Sequence, residues 1–197
     1  VVARTTGLVP EAVVLVATIR ALRSHGGQDA YGMPDPKAVK AGLANLEKHV
    51  ENVELFGYKP VIALNRFPSD APEEIALVRA FAEERGLPFA PSEVYAQGGE
   101  GGLELAERVL EALDLPHAYR PLYPLEASLE AKVEAIATRV YGAEGVEWSE
   151  EAKRALKAAK KEGCEALPVV VAKAATSLSD NPRLRGRPRG FTVRVTD

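Results

Sequence analysis

Apolar runs and amphipathic periods alternate three times in the first part of the chain. Strands are predicted at 12–18, 60–64 and 88–96, the first two as continuous apolar runs typical of strands buried on both faces. Helices are predicted at 38–56, 72–85 and 103–113, the last with Leu103, Ala106, Val109, Leu110 and Leu113 as its apolar face. This alternation predicts an α/β fold in which helices flank a parallel sheet.

The pattern changes after Asp114. A linker at 117–124 precedes helices at 125–141 and 149–162, the second with Ser149 as its N-cap, and a turn lies between them. Strands are predicted at 167–172 and 191–195. We therefore predict two parts, an α/β portion with ligand loops at 1–114 and a linker, helices and a small α+β portion at 115–197.

Composition narrows the classes of function. The chain carries a net charge of -3, so no domain-wide basic field favours nucleic acid as a partner. Its only cysteine and three histidines lack the number and spacing of a disulfide framework or a metal site. No apolar run approaches the roughly 20 residues that span a bilayer. A cytoplasmic protein without a membrane partner is expected, and the opening residues are typical of the middle of a longer protein.

Three loops are candidates for ligand binding, because ligands of open parallel sheets bind beyond the carboxyl ends of the strands. The first loop follows Thr18, the second spans 65–70 (NRFPSD), and the third contains the glycine run at 98–102 (GGEGG). Because each follows a predicted strand, we expect them at one edge of the sheet. Four glycines around one glutamate let the backbone turn sharply and approach a ligand closely.

Aromatic residues in these loops have two interpretations. Phe67 with Pro68 offers a flat wall for a planar ring, and Tyr95 offers a second wall. The alternative, which is the more common one for such residues, is that both rings simply fill core space. Asn65 and Asp70 are ligand-loop candidates, or they cap a turn and the next helix.

Other motifs give weaker or negative signals. Ser179 and Asp180 lie in a segment rich in hydroxyl and carboxamide groups, which could bind a ligand but is usually a turn. The loop at 65–70 loosely resembles the base-reading loop of GTPases, but its aspartate comes too late for guanine. No Gly-x-x-x-x-Gly-Lys-Ser/Thr phosphate loop and no Ser-His-Asp or His-Glu-x-x-His arrangement occurs. No catalytic residue can be assigned.

Taken together, the segments resemble one family in order along the chain. They are residues 7–14 (GLVPEAVV), 20–27 (RALRSHGG), 45–52 (NLEKHVEN), 65–70 (NRFPSD), 92–107 (SEVYAQGGEGGLELAE), 177–182 (SLSDNP) and 186–191 (GRPRGF). They resemble formate–tetrahydrofolate ligase. The resemblance implies an ATP-dependent C–N ligase that makes 10-formyltetrahydrofolate through formyl phosphate. It also implies a P-loop NTPase-like domain with two smaller domains, and a homotetrameric parent.

The resemblance also implies roles for residues. Phe67 and Pro68 would form one wall of a pterin site and Tyr95 the other, while Gly98, Gly99 and Glu100 would shape the pocket. The parent would use formate, tetrahydrofolate, ATP and Mg²⁺, with a monovalent cation as a further candidate.

The chain departs from the family in ways that limit these roles. Tyr95 stands where the family usually has tryptophan, and Gln97 where it has lysine. The family's ATP lysine, magnesium-binding threonine and formyl-phosphate arginine lie upstream of this chain, and its C-terminal segment is missing. The chain is therefore expected to be an internal fragment that carries the folate side and is inactive alone. The alternative is a non-catalytic module that binds folate or a partner.

Overall fold

The structure is a computed structural model that describes residues 2–172, 177–179 and 181–196. In chain order its helices and strands are α1 (Val2–Thr6), β1 (Val14–Ala17), α2 (Ile19–His25), α3 (Pro36–Leu55), β2 (Val61–Asn65), α4 (Pro72–Glu84), β3 (Phe89–Ser92), α5 (Val94–Gln97), α6 (Leu103–Leu113), α7 (Leu129–Ala135), β4 (Gly145–Trp148), α8 (Glu150–Lys161) and β5 (Thr192–Val195). Short 3₁₀ turns span Gly98–Gly102 and Cys164–Ala166, and a π-helical turn spans Ile136–Tyr141.

Two compact units divide the chain. One comprises Pro10–Arg120, and the other comprises Val1–Val9 with Pro121–Asp197. The segment before Arg120 is tied to the first unit, since the Arg120 amide donates to the Phe56 carbonyl at 3.0 Å and the Tyr58 and His117 rings stack at 5.3 Å. The division after Asp114 stays a prediction.

A parallel sheet of order β1-β2-β3 organises the first unit, which confirms the predicted α/β fold. Val14 pairs with Val61 and Ile62 pairs with Phe89, so consecutive strands are neighbours. Helices form the connections that parallel strands require. Because all three strands run the same way, their carboxyl ends lie at one edge of the sheet.

The middle strand carries the core. Residues 61–64 of β2 are at most 1% exposed, as their continuous apolar run predicts. Buried side chains from the helices and the flanking strands pack around them, and they are Ala17, Ile19, Leu22, Val39, Leu46, Val50, Val78, Phe81, Ala82, Leu87 and Phe89. Burial of one such large side chain contributes about 1.5–3 kcal/mol, so this cluster stabilises the frame on which the loops rest.

Strand β1 is buried on one face only. Leu15 and Ala17 face the core, whereas Val14 is 39% and Val16 is 62% exposed. The prediction that both faces of this strand are buried is therefore wrong. An edge strand and a central strand can share the same apolar run, because periodicity does not report which neighbours cover it.

Helix α6 presents its predicted apolar face to the surface. Leu103, Leu110 and Leu113 are 61%, 64% and 41% exposed, while Ala112 is buried and Leu105 and Val109 are half-buried. The helix carries two apolar stripes, and the stripe through 105, 109 and 112 is the more buried one.

The second unit pairs β4 with β5 in parallel, with Gly145 opposite Thr192 and Trp148 opposite Val195. The turn predicted between the two helices is therefore a strand from Gly145 onward. Ser149 caps α8 as predicted, its Oγ accepting from the Ala152 amide at 3.0 Å.

Two further predictions for this unit are wrong. Helix α7 begins at Leu129 rather than at residue 125, after Ser128 accepts from the Ala131 amide at 3.2 Å. No strand forms at 167–172, where the Val169 backbone instead exchanges hydrogen bonds with the Tyr123 hydroxyl at 3.0 and 3.1 Å. Among the described residues, no helix combines the length and apolar character needed to cross a bilayer.

Candidate functional site

The loops that follow β2 and β3 are joined directly at the carboxyl edge of the sheet. The Arg66 amide donates to the Ser92 carbonyl at 3.0 Å, which extends the strand pairing by one residue. The Arg66 guanidinium then forms an ion pair with Glu93, with Nη1 and Oε1 2.6 Å apart. These contacts fix the start of one loop against the start of the other.

The loop after β2 is a tight turn closed by Asp70. Its Oδ2 accepts from the Phe67 amide at 2.9 Å, and the Asp70 amide donates back to the Phe67 carbonyl at 3.0 Å. Asp70 is 7% exposed, and its Oδ1 is buried with no hydrogen-bond partner among the described residues. A buried acceptor without a partner is costly, so this oxygen is suited to receive a donor from a ligand or water.

Asp70 does not cap α4, so the interpretation of Asp70 as the cap of the next helix is wrong. The residue before the helix is Ala71, which has no acceptor in its side chain, and Glu74 accepts from the Ala71 amide at 3.2 Å instead. Glutamate at the third helical position often plays this part in a capping box. Asp70 is therefore left to shape the turn that presents Phe67 and Pro68.

Phe67 lies outside the hydrophobic core cluster and is half-buried. The guanidinium carbon of Arg20 lies 3.8 Å from its ring centroid, and the same guanidinium lies 5.1 Å from the centroid of Tyr31. Pro68 is exposed beside the ring. The suggestion that Phe67 simply fills core space is therefore not supported.

Tyr95 lies on helix α5 and is 99% exposed. The prediction that β3 continues to residue 96 is wrong, because the strand ends at Ser92 and a helical turn follows. The core interpretation of Tyr95 does not hold either. Within the described residues the Phe67 and Tyr95 rings do not contact each other.

The glycine loop folds back against the start of α5. The Glu93 amide donates to the Gly101 carbonyl at 2.9 Å, and a Cβ at Gly101 would lie 2.5 Å from the Glu93 carbonyl oxygen. Gly98 has φ 62° and ψ -144°, a region that side chains avoid. By contrast, Gly99 has open space around it and Glu100 is exposed. Gly98 and Gly101 therefore have a structural reason to be glycine, whereas the described residues give none for Gly99.

A buried ion pair between Arg23 and Glu74 joins the segments that follow β1 and β2. Arg23 and Glu74 are 1% and 0% exposed, and Glu74 also accepts from the Asp35 amide at 2.9 Å. Burial alone would raise the pKa of Glu74, but hydrogen bonds from Arg23, Asp35 and Ala71 outweigh it and lower that pKa. The hydrogen bond to Glu74 raises the pKa of Arg23. Both groups are therefore held in their charged forms.

The remaining predicted site residues are more scattered. Asn65 ends β2 opposite Ser92, and its side chain makes no hydrogen bond within the described residues. Ser179 lies in the other unit, where it is buried and its Oγ accepts from the Asn181 amide at 3.1 Å. Asp180 lies outside the described residues.

Several polar residues of this edge were not singled out from the sequence. Glu74 had a signal, since it stands at the third position of a helix that begins with proline. No sequence signal indicated the partners of Arg20, Arg23 and Arg66, because each of these contacts joins residues from separate segments of the chain. No group of three or more His, Cys, Asp or Glu side chains among the described residues is arranged to hold a metal ion, so these residues do not fit a Mg²⁺ site of their own.

Comparison with known families extends these observations to the whole chain. Residues 1–197 match the family described as formate–tetrahydrofolate ligase. The chain belongs to that family. Curated relatives named formate–tetrahydrofolate ligase include proteins from Symbiobacterium thermophilum, 46% identical over 98% of this chain, and Arthrobacter sp., 46% identical over 99%. A third, from Staphylococcus aureus, is 44% identical over 99% of the chain.

The match covers only part of each relative. The chain spans 35% of the first two ligases and 36% of the third. Relative to those proteins the chain is therefore a fragment, as predicted from the resemblance of its segments.

Proposed function

We propose that this chain is part of a formate–tetrahydrofolate ligase and contributes the surface that binds the folate. The parent reaction joins formate to the γ-phosphoryl group of ATP, which gives formyl phosphate and ADP. An amine of tetrahydrofolate then attacks the formyl carbon, and phosphate leaves. The observation that carries the proposal is that a half-buried Phe67 outside the core cluster and an exposed Tyr95 follow neighbouring parallel strands at one sheet edge, in a member of this family.

The two rings would act by stacking on the pterin. Arg20 covers one side of Phe67, so a planar ligand would take the other side, next to Pro68. Tyr95 would close on the opposite side of the ligand, with Gly98, Gly99 and Glu100 beside it. Such stacking fixes the direction of the reacting amine, and its contribution to the rate would come from positioning rather than from proton transfer.

Polar groups of the same loop would supply specificity. Among the described residues, Asp70 has one buried oxygen without a partner, and the side-chain carboxamide of Asn65 makes no hydrogen bond. Amino and ring N–H groups of a pterin are donors that these acceptors could receive. A buried acceptor that gains a charge-assisted hydrogen bond contributes about 1.5–3 kcal/mol, so Asp70 would matter more than Asn65.

The phosphate chemistry would take place on other parts of the enzyme. The chain contains no phosphate loop, and its described residues form no metal cluster. We infer that ATP, Mg²⁺ and any monovalent cation bind chiefly to residues outside these 197, and that the chain alone does not turn over. The parent is proposed to be a cytoplasmic homotetramer without nucleic-acid or membrane partners.

A second candidate function is a non-catalytic module that binds folate or a protein partner. The exposed leucines of α6, Leu103, Leu110 and Leu113, favour a protein contact on that helix.

Titration with tetrahydrofolate and with ATP tests the proposal. We expect the 197-residue chain to bind tetrahydrofolate, to bind ATP weakly or not at all, and to make no formyltetrahydrofolate from formate, ATP and Mg²⁺. Formation of product by the chain alone would contradict the assignment of phosphate chemistry to other segments. Absence of tetrahydrofolate binding would favour the protein-partner function.

A further inference from the structure

In the part of the chain that the structure describes, Arg20 at the carboxyl edge of the sheet has no carboxylate partner, unlike two neighbouring arginines. Arg23 is bound by Glu74, and Arg66 is bound by Glu93. Arg20 is half-buried, and no hydrogen bond or ion pair involves its guanidinium within the described residues. Among the described residues its charge therefore has no carboxylate partner, and it lies beyond the carboxyl ends of the strands, where ligands of open parallel sheets bind.

The contacts that Arg20 does make leave its donors free. Aromatic rings contact the guanidinium of Arg20 at Phe67 and at Tyr31, with the guanidinium carbon 3.8 and 5.1 Å from the ring centroids. Cation–π contacts use the flat face of a guanidinium, whereas its N–H groups point outward in the plane. Stacking therefore holds the orientation of Arg20 and keeps its hydrogen-bonding edge available.

We propose that Arg20 is an oxyanion-binding residue, which receives a carboxylate or phosphoryl group through the in-plane N–H donors of its guanidinium. A planar fork of donors matches two oxygens of such a group better than it matches any neutral acceptor. The immobilised stack lowers the entropy lost on binding, because the side chain is already ordered. Phe67 and Tyr31 thus serve as its supports.

The choice between the two oxyanions rests on the proposed function. Tetrahydrofolate carries carboxylates on its glutamyl end, and formyl phosphate carries a phosphoryl group. Arg20 contacts Phe67, the ring that is proposed to stack on the pterin. A carboxylate of the folate or the phosphoryl group of formyl phosphate could therefore reach Arg20. The shared chemistry is the oxyanion, and separate probes distinguish its source.

A nuclear magnetic resonance titration of the 197-residue chain tests the site. The Nε–Hε signal of Arg20, assigned by its loss in Arg20→Gln, is followed during addition of inorganic phosphate and, separately, of p-aminobenzoylglutamate, which carries the carboxylates without the pterin. Chloride at matched ionic strength is the blank. A phosphate-induced shift identifies a phosphoryl site, and a shift with p-aminobenzoylglutamate alone identifies a carboxylate site.

Two variants make the result specific. Arg20→Gln should weaken binding of the active probe by about tenfold or more, as expected for loss of a charge-assisted hydrogen bond. Arg20→Lys keeps the charge but not the planar fork, so its affinity for the probe should lie between those of the wild type and Arg20→Gln. Arg79→Gln is the matched control, because Arg79 also stacks on a phenylalanine, with its guanidinium carbon 4.7 Å from the Phe89 centroid, but away from this edge. It should bind as the wild type does.

Three results overturn the inference. They are an Arg20 signal that responds to neither probe, unchanged binding in a folded Arg20→Gln, and equal weakening by Arg79→Gln. Thermal unfolding of each variant checks that it is folded. Because neither probe contains a pterin, an Arg20 site would stand even if tetrahydrofolate did not bind through Phe67 and Tyr95. Conversely, tetrahydrofolate binding without a response at Arg20 would remove this inference and leave the proposed function intact.

Discussion

Arg23 and Glu74 form a two-pronged buried ion pair, with Nε–Oε1 and Nη2–Oε2 distances of 2.7 and 2.5 Å. Arg23 comes from α2 and Glu74 from the first turn of α4, so the pair joins the segments that follow β1 and β2. Arg23 also donates to the Gly32 carbonyl at 3.1 Å. The pair thereby fixes the base on which Arg20 and the Phe67 loop rest.

Removing one charge of this pair should destabilise the first unit strongly. Glu74→Gln leaves Arg23 buried without its counter-ion, and breaking a buried pair in this way costs about 3–5 kcal/mol. The matched control is Glu47→Gln, which breaks the ion pair with Arg85, where both side chains are about one-third exposed. Surface pairs of this kind contribute about 0–1 kcal/mol. Chemical denaturation should separate the two variants, and equal losses would contradict the anchoring role of Glu74.

Acid should weaken the protein through the same residue. The folded-state pKa of Glu74 lies below its ordinary value of 4.5, so its charged form favours folding above that pH. That contribution is lost as the pH falls from 4.5 through the lower folded-state pKa. Denaturation midpoints measured from neutral pH into this range should fall for the wild type. The fall should be shallower in Glu74→Gln, and parallel curves would contradict the lowered pKa.

The glycine loop should tolerate a methyl group at one position and not at another. Gly101→Ala places a Cβ 2.5 Å from the Glu93 carbonyl oxygen, so the loop must move away from α5. We expect a loss of about 1–3 kcal/mol, as for other overpacked sites. Gly99→Ala is the stability control, because nothing lies within 4 Å of its added Cβ. Thermal unfolding compares them, and equal stability of the two variants would contradict the close approach seen at Gly101.

The fold was predictable for those elements whose sequence pattern is compatible with only one environment. The apolar run at 61–64 predicts a central strand, and Ser149 predicts the start of α8. The exposure of Val16 was not predictable, because a continuous apolar run does not report whether a strand lies at an edge. Helix α6 has two apolar stripes, so its sequence alone did not indicate which of them is more buried.

The candidate site was predictable in its loops but not in its contacts. Strand alternation indicated the carboxyl edge, and the resemblance of the loop segments indicated Phe67 and Tyr95. The helical turn that carries Tyr95 is only four residues long, which is too short to show a period. Arg23 and Glu74 are 51 residues apart, and such a pairing depends on how α2 and α4 pack.

The measurement that tests the central claim most directly is calorimetric titration of the chain and its ring variants with tetrahydrofolate. Phe67→Ala and Tyr95→Ala should each weaken binding by about tenfold, since stacking of an aromatic ring contributes about 1.4 kcal/mol. Tyr95→Phe keeps the ring and should bind nearly as well as the wild type. If tetrahydrofolate binds equally tightly after both alanine substitutions, the folate does not stack between Phe67 and Tyr95.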